Sequence, residues 1–224
     1  MDEQRVDLAS HPIFSCLDRS DIDALVQIAN PHRYQQDEYL TYNGDIWPYL
    51  FLVISGTISA VKESTEGRSL LVATFGPGEL FWGIAFFHEE LPMPVSLKAG
   101  EPTLIYLWSR EQMLPYLSAN GCFSWELCRL MVSRMLRASA IVDDLAFHPL
   151  SGRLARLLLD QFPADQSVAP RHLTLDEMAT RVGTTREMVC RILYRFAEQG
   201  AIQINRTEFI FTDRSLLEEH TRKG

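Results

Sequence analysis

Residues 183–196 read GTTREMVCRILYRF. Wound as a helix at about 100° per residue with Arg186 at zero, Cys190 falls near 40°, Tyr194 near 80°, Glu187 near 100°, Arg191 near 140° and Arg195 near 180°. Met188, Val189, Ile192, Leu193 and Phe196 fill the remaining arc, from about 200° to 340°. Such a helix is core on one side and offers three guanidinium forks and a carboxylate on the other. A planar fork can donate two hydrogen bonds to the O6 and N7 edge of guanine, and a carboxylate can accept from the amino group of cytosine. A plainer reading has Glu187 close a capping box on Thr184, with Arg191 and Arg195 pairing to Glu187 or Glu198 on a solvated surface.

Upstream, LTLDEMATRV (173–182) places Thr174 three residues before Glu177, the spacing of a capping box, and Met178, Ala179 and Val182 on one side of a short helix. Gly183 stops it. Two helices joined by so tight a turn make a helix-turn-helix, whose second helix presents its first residues to base edges. Here these are Thr184, Thr185, Arg186 and Glu187, with Cys190, Arg191 and Arg195 on the same face. After Gly200, IQIN and EFIFTD alternate like two strands around the polar turn Arg206-Thr207, the pattern of a wing beside the DNA backbone.

The acidity that argues against an anionic partner belongs to the first part of the chain alone. The 224 residues carry a formal charge of −8, but residues 1–147 hold 10 Lys+Arg against 19 Asp+Glu, and residues 148–224 hold 11 against 10. The halves are therefore −9 and +1. The apolar runs are too short to cross a bilayer, and MDEQRVDLASHPIF lacks the basic start of a secretory signal, so a cytoplasmic protein without a membrane partner is expected. Cys16, Cys122, Cys128 and Cys190 contain no Cys-x-x-Cys pair, and reduced thiols are expected.

The first part alternates with a period of two. YLFLVI, TISAV, SLLVATF and TLIYLW are separated by Asn43-Gly44, Ser55-Gly56, Glu66-Gly67 and Gly76-Pro77-Gly78, which predicts a β-sandwich or barrel behind a short helix over about 18–29. Pro115 and Gly121 break any helix before a helical period begins. Cys128, Met131, Met135, Ala138, Val142 and Leu145 then follow at spacings of 3, 4, 3, 4 and 3, a coiled-coil seam that asks for a second copy. The alternative is a long helix packed on its own β domain. His148-Pro149 and Ser151-Gly152 mark a hinge, a helix follows over 153–162, and PADQSVAPRH reads as a polar loop.

In this order, and through HPIFSCL, DDLAFHPLSGRLARLLL and TTREMVCRIL, the chain resembles the Crp/Fnr family of bacterial transcription regulators. The resemblance implies an α+β fold. A cyclic-nucleotide-binding-like β-roll (jelly roll) spans 1–120, a dimerisation helix 121–147 and a winged helix-turn-helix 148–224. It further implies a homodimer on double-stranded DNA, with Arg186, Glu187 and Arg191 on G·C pairs of a TGTGA-like palindrome, and RNA polymerase as a partner. No enzymatic activity is expected.

The effector end departs from the family pattern. The Gly-Glu and Arg-Ser or Arg-Thr pairs that hold ribose and phosphate in the nucleotide binders fall here on Trp82-Gly83 and Met93-Pro94. A phosphate buried without such donors is costly, so cyclic AMP is not expected, and no cofactor is assigned. Phe81, Trp82, Gly83, Phe86 and Met93, with Ala138 and Ser139 across the dimer, could line a pocket for an apolar effector. Alternatively, they and Phe87 are ordinary core. His88 is the candidate if haem is bound, and Cys122 with Cys128 the candidates for thiol redox control. Too few cysteines cluster near the amino terminus for an iron–sulfur centre. A cupin-like metal enzyme is the remote alternative; its histidine pairs are missing, since His11, His32, His88, His148, His172 and His220 stand far apart, and no metal site is expected.

Overall fold

The computed structural model describes residues 8, 11–65, 68–161, 168–170, 173–205 and 208–222. The chain divides into two compact units, Met1–Lys62 with Val72–Arg137, and Glu63–Leu71 with Ala138–Gly224.

The first unit opens with α1 (Arg19–Ile28), started by Asp18, whose carboxylate accepts from the Asp21 amide at 2.8 Å. Eight strands follow: β1 (Asn30–Tyr34), β2 (Tyr39–Thr41), β3 (Tyr49–Ser55), β4 (Ile58–Glu63), β5 (Ser69–Phe75), β6 (Leu80–Trp82), β7 (Ser96–Ala99) and β8 (Thr103–Ser109), with the short α2 (Ile84–Phe87) between β6 and β7. They form two four-stranded sheets, β1-β8-β3-β6 and β2-β7-β4-β5, as in a jelly roll. β3 explains why YLFLVI is apolar without a break. Phe51 and Val53 face a core with Phe75, Leu97 and Ile105. Leu50, Leu52 and Ile54 face a second core with Phe14, Leu25, Trp108 and Phe123. A strand buried on both faces loses its visible alternation. The Trp108 indole N–H finds its partner in the Leu25 carbonyl at 2.9 Å, joining β8 to the end of α1.

Two helices complete this side, α3 (Arg110–Ala119) and the start of α4 (Gly121–Phe147). The expected break at Pro115 is absent. α3 begins with a Ser109/Gln112 capping box and runs through the proline, whose sixth place in the helix costs only one early backbone bond. α4 starts at Gly121, where Asn120 Oδ1 accepts from the Phe123 amide at 3.0 Å.

Two expectations about this unit are corrected. Met131 does not sit on an open seam; it is half-buried and packs with Leu130 on the second core. The exposed apolar line of α4 is Trp125, Cys128, Val132, Met135 and Val142. Residues 131 and 132 are both apolar, so spacing alone could not choose the register. The thiols are not all free: Cys16 and Cys122 form a disulfide, with Cα atoms 5.8 Å apart across 106 residues of sequence. Cys122 therefore pairs with Cys16 rather than acting with Cys128, which is free and exposed.

The second unit contains α5 (Leu150–Gln161), β9 (Val168–Pro170), α6 (Leu175–Val182), α7 (Arg186–Glu198), β10 (Ile202–Ile204), β11 (Glu208–Phe211) and α8 (Arg214–Arg222). Leu154, Leu158, Met178, Val189, Ile192, Phe196, Phe209 and Leu217 are its core. Ser151-Gly152 lies inside α5 and is no hinge; the helix starts directly after Pro149. Part of the expected polar loop is strand β9, which pairs antiparallel with β11 to give the order β10-β11-β9. The turns Glu66-Gly67 and Arg206-Thr207, the end of the expected helix at Phe162, His172, and the rest of PADQSVAPRH lie outside the described residues.

Candidate nucleic-acid interface

The sequence builds α6 and α7 locally. Thr174 accepts from the Glu177 amide at 3.1 Å, and the Glu177 carboxylate accepts from the Thr174 amide at 2.7 Å, closing the capping box. At the far end Gly183 takes φ 69° and ψ 48°, the left-handed cap that lets the chain turn at once. An added Cβ at this glycine lies 3.1 Å from a Leu70 methyl and 3.3 Å from a Leu145 methyl. α7 is started by Thr185, whose hydroxyl accepts from the Met188 amide at 3.4 Å. Glu187 is thus the second residue of the helix and closes no capping box.

Side chains of α7 divide cleanly. Val189, Ile192, Leu193 and Phe196 are buried, while Arg186, Glu187, Arg191, Tyr194 and Arg195 are exposed. Cys190 and Thr185 are half-buried between the two sides. Thr184 is a correction. Its side chain is only 8% exposed, and its amide donates to the Ala179 carbonyl at 2.9 Å, so it builds the turn instead of the surface. Tyr194, 62% exposed, lies on the same face, as its angle on the helix predicts, and adds an aromatic ring to the contact candidates.

Arg186 has one neighbour of opposite charge, Asp176 on α6 at 3.6 Å, both largely exposed. Pairs of this kind contribute about 0 to 1 kcal/mol, so the guanidinium can be given up to a better acceptor. The side chains of Glu187, Arg191 and Arg195 make no hydrogen bond or ion pair among the described residues. A row of charged forks that stabilises nothing internal is available to an external ligand.

Arg153 is a structural residue that the sequence did not single out. Its Nε donates to the Val182 carbonyl at 3.1 Å and its Nη1 to the His148 carbonyl at 2.9 Å. It thereby holds the last turn of α6 and the end of α4 together. Burial draws its guanidinium below the ordinary value and the Asp144 carboxylate opposes that shift; the group starts so far above neutrality that it stays charged. Next to it, Arg156 Nη1 donates to Asp144 Oδ1 at 2.7 Å. The only sequence signal for this latch was a basic residue in the first turn after Pro149.

The effector segment does not converge on one cavity. Phe81 and Met93 pack in the core between the sheets, with Trp47, Phe51 and Phe75; Phe81 and Phe75 are 4.5 Å apart. Trp82 and Phe86 point into the other core. Phe87 and His88 are exposed, and so are Ala138 and Ser139 on α4. Gly83 is decisive: a Cβ built there would lie 1.8 Å from the Trp47 carbonyl oxygen, so no side chain fits on this backbone. Among the described residues no cluster of three or more His, Cys, Asp or Glu is placed to hold a metal, and no helix is long and apolar enough to cross a membrane.

Family models match both units: a cyclic nucleotide-binding domain over residues 31–120 and a Crp-like helix-turn-helix domain over 152–220. The chain belongs to the Crp/Fnr family of transcription regulators. Similar Crp/Fnr proteins include the cyclic AMP receptor protein of Thermus thermophilus, 29% identical over 212 residues, covering 93% of this chain and 95% of that one. A CRP-like cAMP-activated global transcriptional regulator of Mycobacterium tuberculosis is 27% identical over 223 residues, covering 96% and 98%. Among solved structures, the c-di-GMP responsive regulator CLP of Xanthomonas campestris shares the fold at a TM-score of 0.74 and 23% identity, over 88% of this chain and 100% of that one. This Crp/Fnr chain is therefore a DNA-binding transcription regulator with a helix-turn-helix.

Proposed function

We propose that the protein is a homodimer that reads a TGTGA-like palindrome through Arg186, Glu187 and Arg191, and that it does so without cyclic AMP bound in the manner of the family's nucleotide binders. The observation that carries the first claim is the exposed face of α7, where three arginines and a glutamate have almost no internal work. Thr185, Cys190 and Arg195 flank the base-reading set, and Arg195, a full two turns from the helix start, serves the phosphates better than the bases. The homodimer is supported by Trp125, Val132, Met135 and Val142, large apolar side chains lying open along α4 at coiled-coil spacing.

Independence from cyclic AMP rests on Gly83. The position that carries a ribose-binding glutamate in the family's nucleotide binders has no room here for even a methyl group. Relatives named for cyclic AMP thus share the architecture with a chain whose signal differs. Work on DNA with RNA polymerase assigns the protein to the cytoplasm, and no catalytic role is proposed. The test is selection of bound sites from a random duplex pool with the purified protein and no added nucleotide. Enrichment of a two-fold symmetric site with TGTGA-like halves is expected. A selected pool without symmetry, or one that becomes symmetric only when cyclic AMP is added, refutes the proposal.

A further inference from the structure

We propose that Cys16 and Cys122 are a reversible thiol–disulfide site. It takes a low-molecular-weight disulfide such as oxidised glutathione as co-reactant and, when closed, clamps residues 11–17 onto the first turn of α4. Its regulatory consequence rests on the DNA-binding function proposed above.

The two cysteines are brought together by contacts that owe nothing to the sulfurs. Phe14 packs on Phe123 at 5.6 Å and on Trp108 at 6.1 Å, and Leu17 is buried beside it. Asn120 uses both ends of its amide: Oδ1 caps α4, and Nδ2 donates to the Cys16 carbonyl at 3.3 Å. The thiols of the reduced protein therefore stay apposed, and closing the ring is an intramolecular step at high effective concentration. The bond is also within reach of solvent, since Cys122 is exposed and Cys16 half-buried. In a compartment where glutathione keeps thiols reduced, a cystine that small thiols can reach belongs to a redox-responsive class and not to the permanent staples of secreted domains.

Cys122 is the residue that attacks. It is the second residue of a 27-residue helix, where the unpaired amides of the first turn favour an anionic sulfur. Its thiolate displaces one glutathione thiolate from oxidised glutathione, leaving a mixed disulfide. The Cys16 thiolate then attacks the Cys122 sulfur and expels the second glutathione. Two electrons pass from the cysteines to the reagent, and the two thiol protons end on two glutathione thiols. What the clamp holds is the segment whose Pro12 and Ile13 form one wall of a cavity of about 640 Å3, with Leu80, Leu130 and Arg134 opposite. Opening the bond leaves that wall held to α4 by the Phe14–Phe123 packing and the Asn120 hydrogen bond alone.

The experiment equilibrates the full-length protein with glutathione mixtures of increasing oxidised fraction. It then counts alkylatable cysteines by mass spectrometry and measures melting temperature and affinity for the selected DNA site. Wild type and Cys128→Ser should lose two reactive thiols together, mapped to Cys16 and Cys122. Both proteins should melt higher when oxidised, and DNA affinity should change about fivefold or more between the two forms. Cys122→Ser should form no internal bond, and Cys16→Ser should stop at a single mixed disulfide on Cys122, one glutathione heavier by mass, with no rise in melting temperature. Four reactive thiols at every ratio in wild type, or a bond that resists excess dithiothreitol in the folded protein, overturns the proposal. Reversible closure with unchanged DNA affinity overturns its regulatory half. If closure follows the glutathione ratio while neither form prefers a palindrome, the DNA-reading function has failed and the cystine stands.

Discussion

Arg186 stands in the first turn of α7 with only an exposed carboxylate, Asp176, for company. Its removal costs the folded protein little, so its effect can be read almost wholly in binding. Arg186→Ala is expected to weaken specific DNA binding by about 1 to 3 kcal/mol and to relax preference at a single base position, measured by competition among singly substituted duplexes. Equal weakening on every duplex makes Arg186 a phosphate contact instead. At the opposite extreme of tolerance is Gly83, packed against the Trp47 carbonyl. Gly83→Ala should destabilise the protein by at least about 1 to 3 kcal/mol in urea unfolding, the usual cost of forcing extra atoms into a packed core. Unchanged stability contradicts the argument that no ribose-holding side chain can be accommodated here. At this scale the sequence was legible where helical geometry decides, as for Arg191, and illegible where a turn buries a polar residue, as for Thr184.

Helices and strands respond to coarser rules, and two predictions belong to them. The left-handed cap at Gly183 sets the angle between α6 and α7. Gly183→Ala should cost roughly 1 to 2 kcal/mol of stability, from the steric penalty of that conformation, and more if the Leu70 and Leu145 methyls do not yield. Along α4, Trp125 and Met135 are 66% and 63% exposed, so charging them leaves the single chain intact. Trp125→Glu with Met135→Glu should raise the free energy of the dimer by about 3 kcal/mol or more, seen as a monomer in sedimentation and as lost affinity for the palindrome. A double variant that still sediments as a dimer places the interface elsewhere. Periodicity revealed α1 and both ends of α4, and short β-type runs between turn residues revealed the four long strands, β3 included although it is buried on both faces. It missed α3, where Pro115 misled. It also missed α8, whose polar sequence RSLLEEHTR hides a narrow docking face made of Leu217, Leu216 and His220, the last 2.9 Å from Gln199. Strand β9 was hidden for a different reason: three residues ending in proline acquire a ladder only because β11 is there to pair with.

For the molecule as a whole, the charge split of −9 and +1 is the largest pattern that the sequence displays. It keeps the acidic half from competing for phosphate while leaving the α7 face free to bind it. The same scale carries the ligand prediction. Cyclic AMP up to millimolar concentration should leave the melting temperature unchanged, because a ligand that does not bind the folded state cannot stabilise it. A rise that grows with concentration contradicts the reading of Gly83 and of the filled core around Phe81 and Met93. The Cys16–Cys122 bond was beyond the sequence for a reason of scale. Two cysteines 106 residues apart become neighbours only after Phe14, Trp108 and Phe123 have assembled.

Arg153 grips two carbonyls with one flat, rigid group, at His148 where α4 gives way to α5 and at Val182 one residue before the turn into α7. The end of α4 and the helix that leads into α7 are thus joined by a strut and not by a slack connection. Within this unit the two points are therefore fixed to each other by one side chain, with no free joint left between the start of α5 and the last turn of α6.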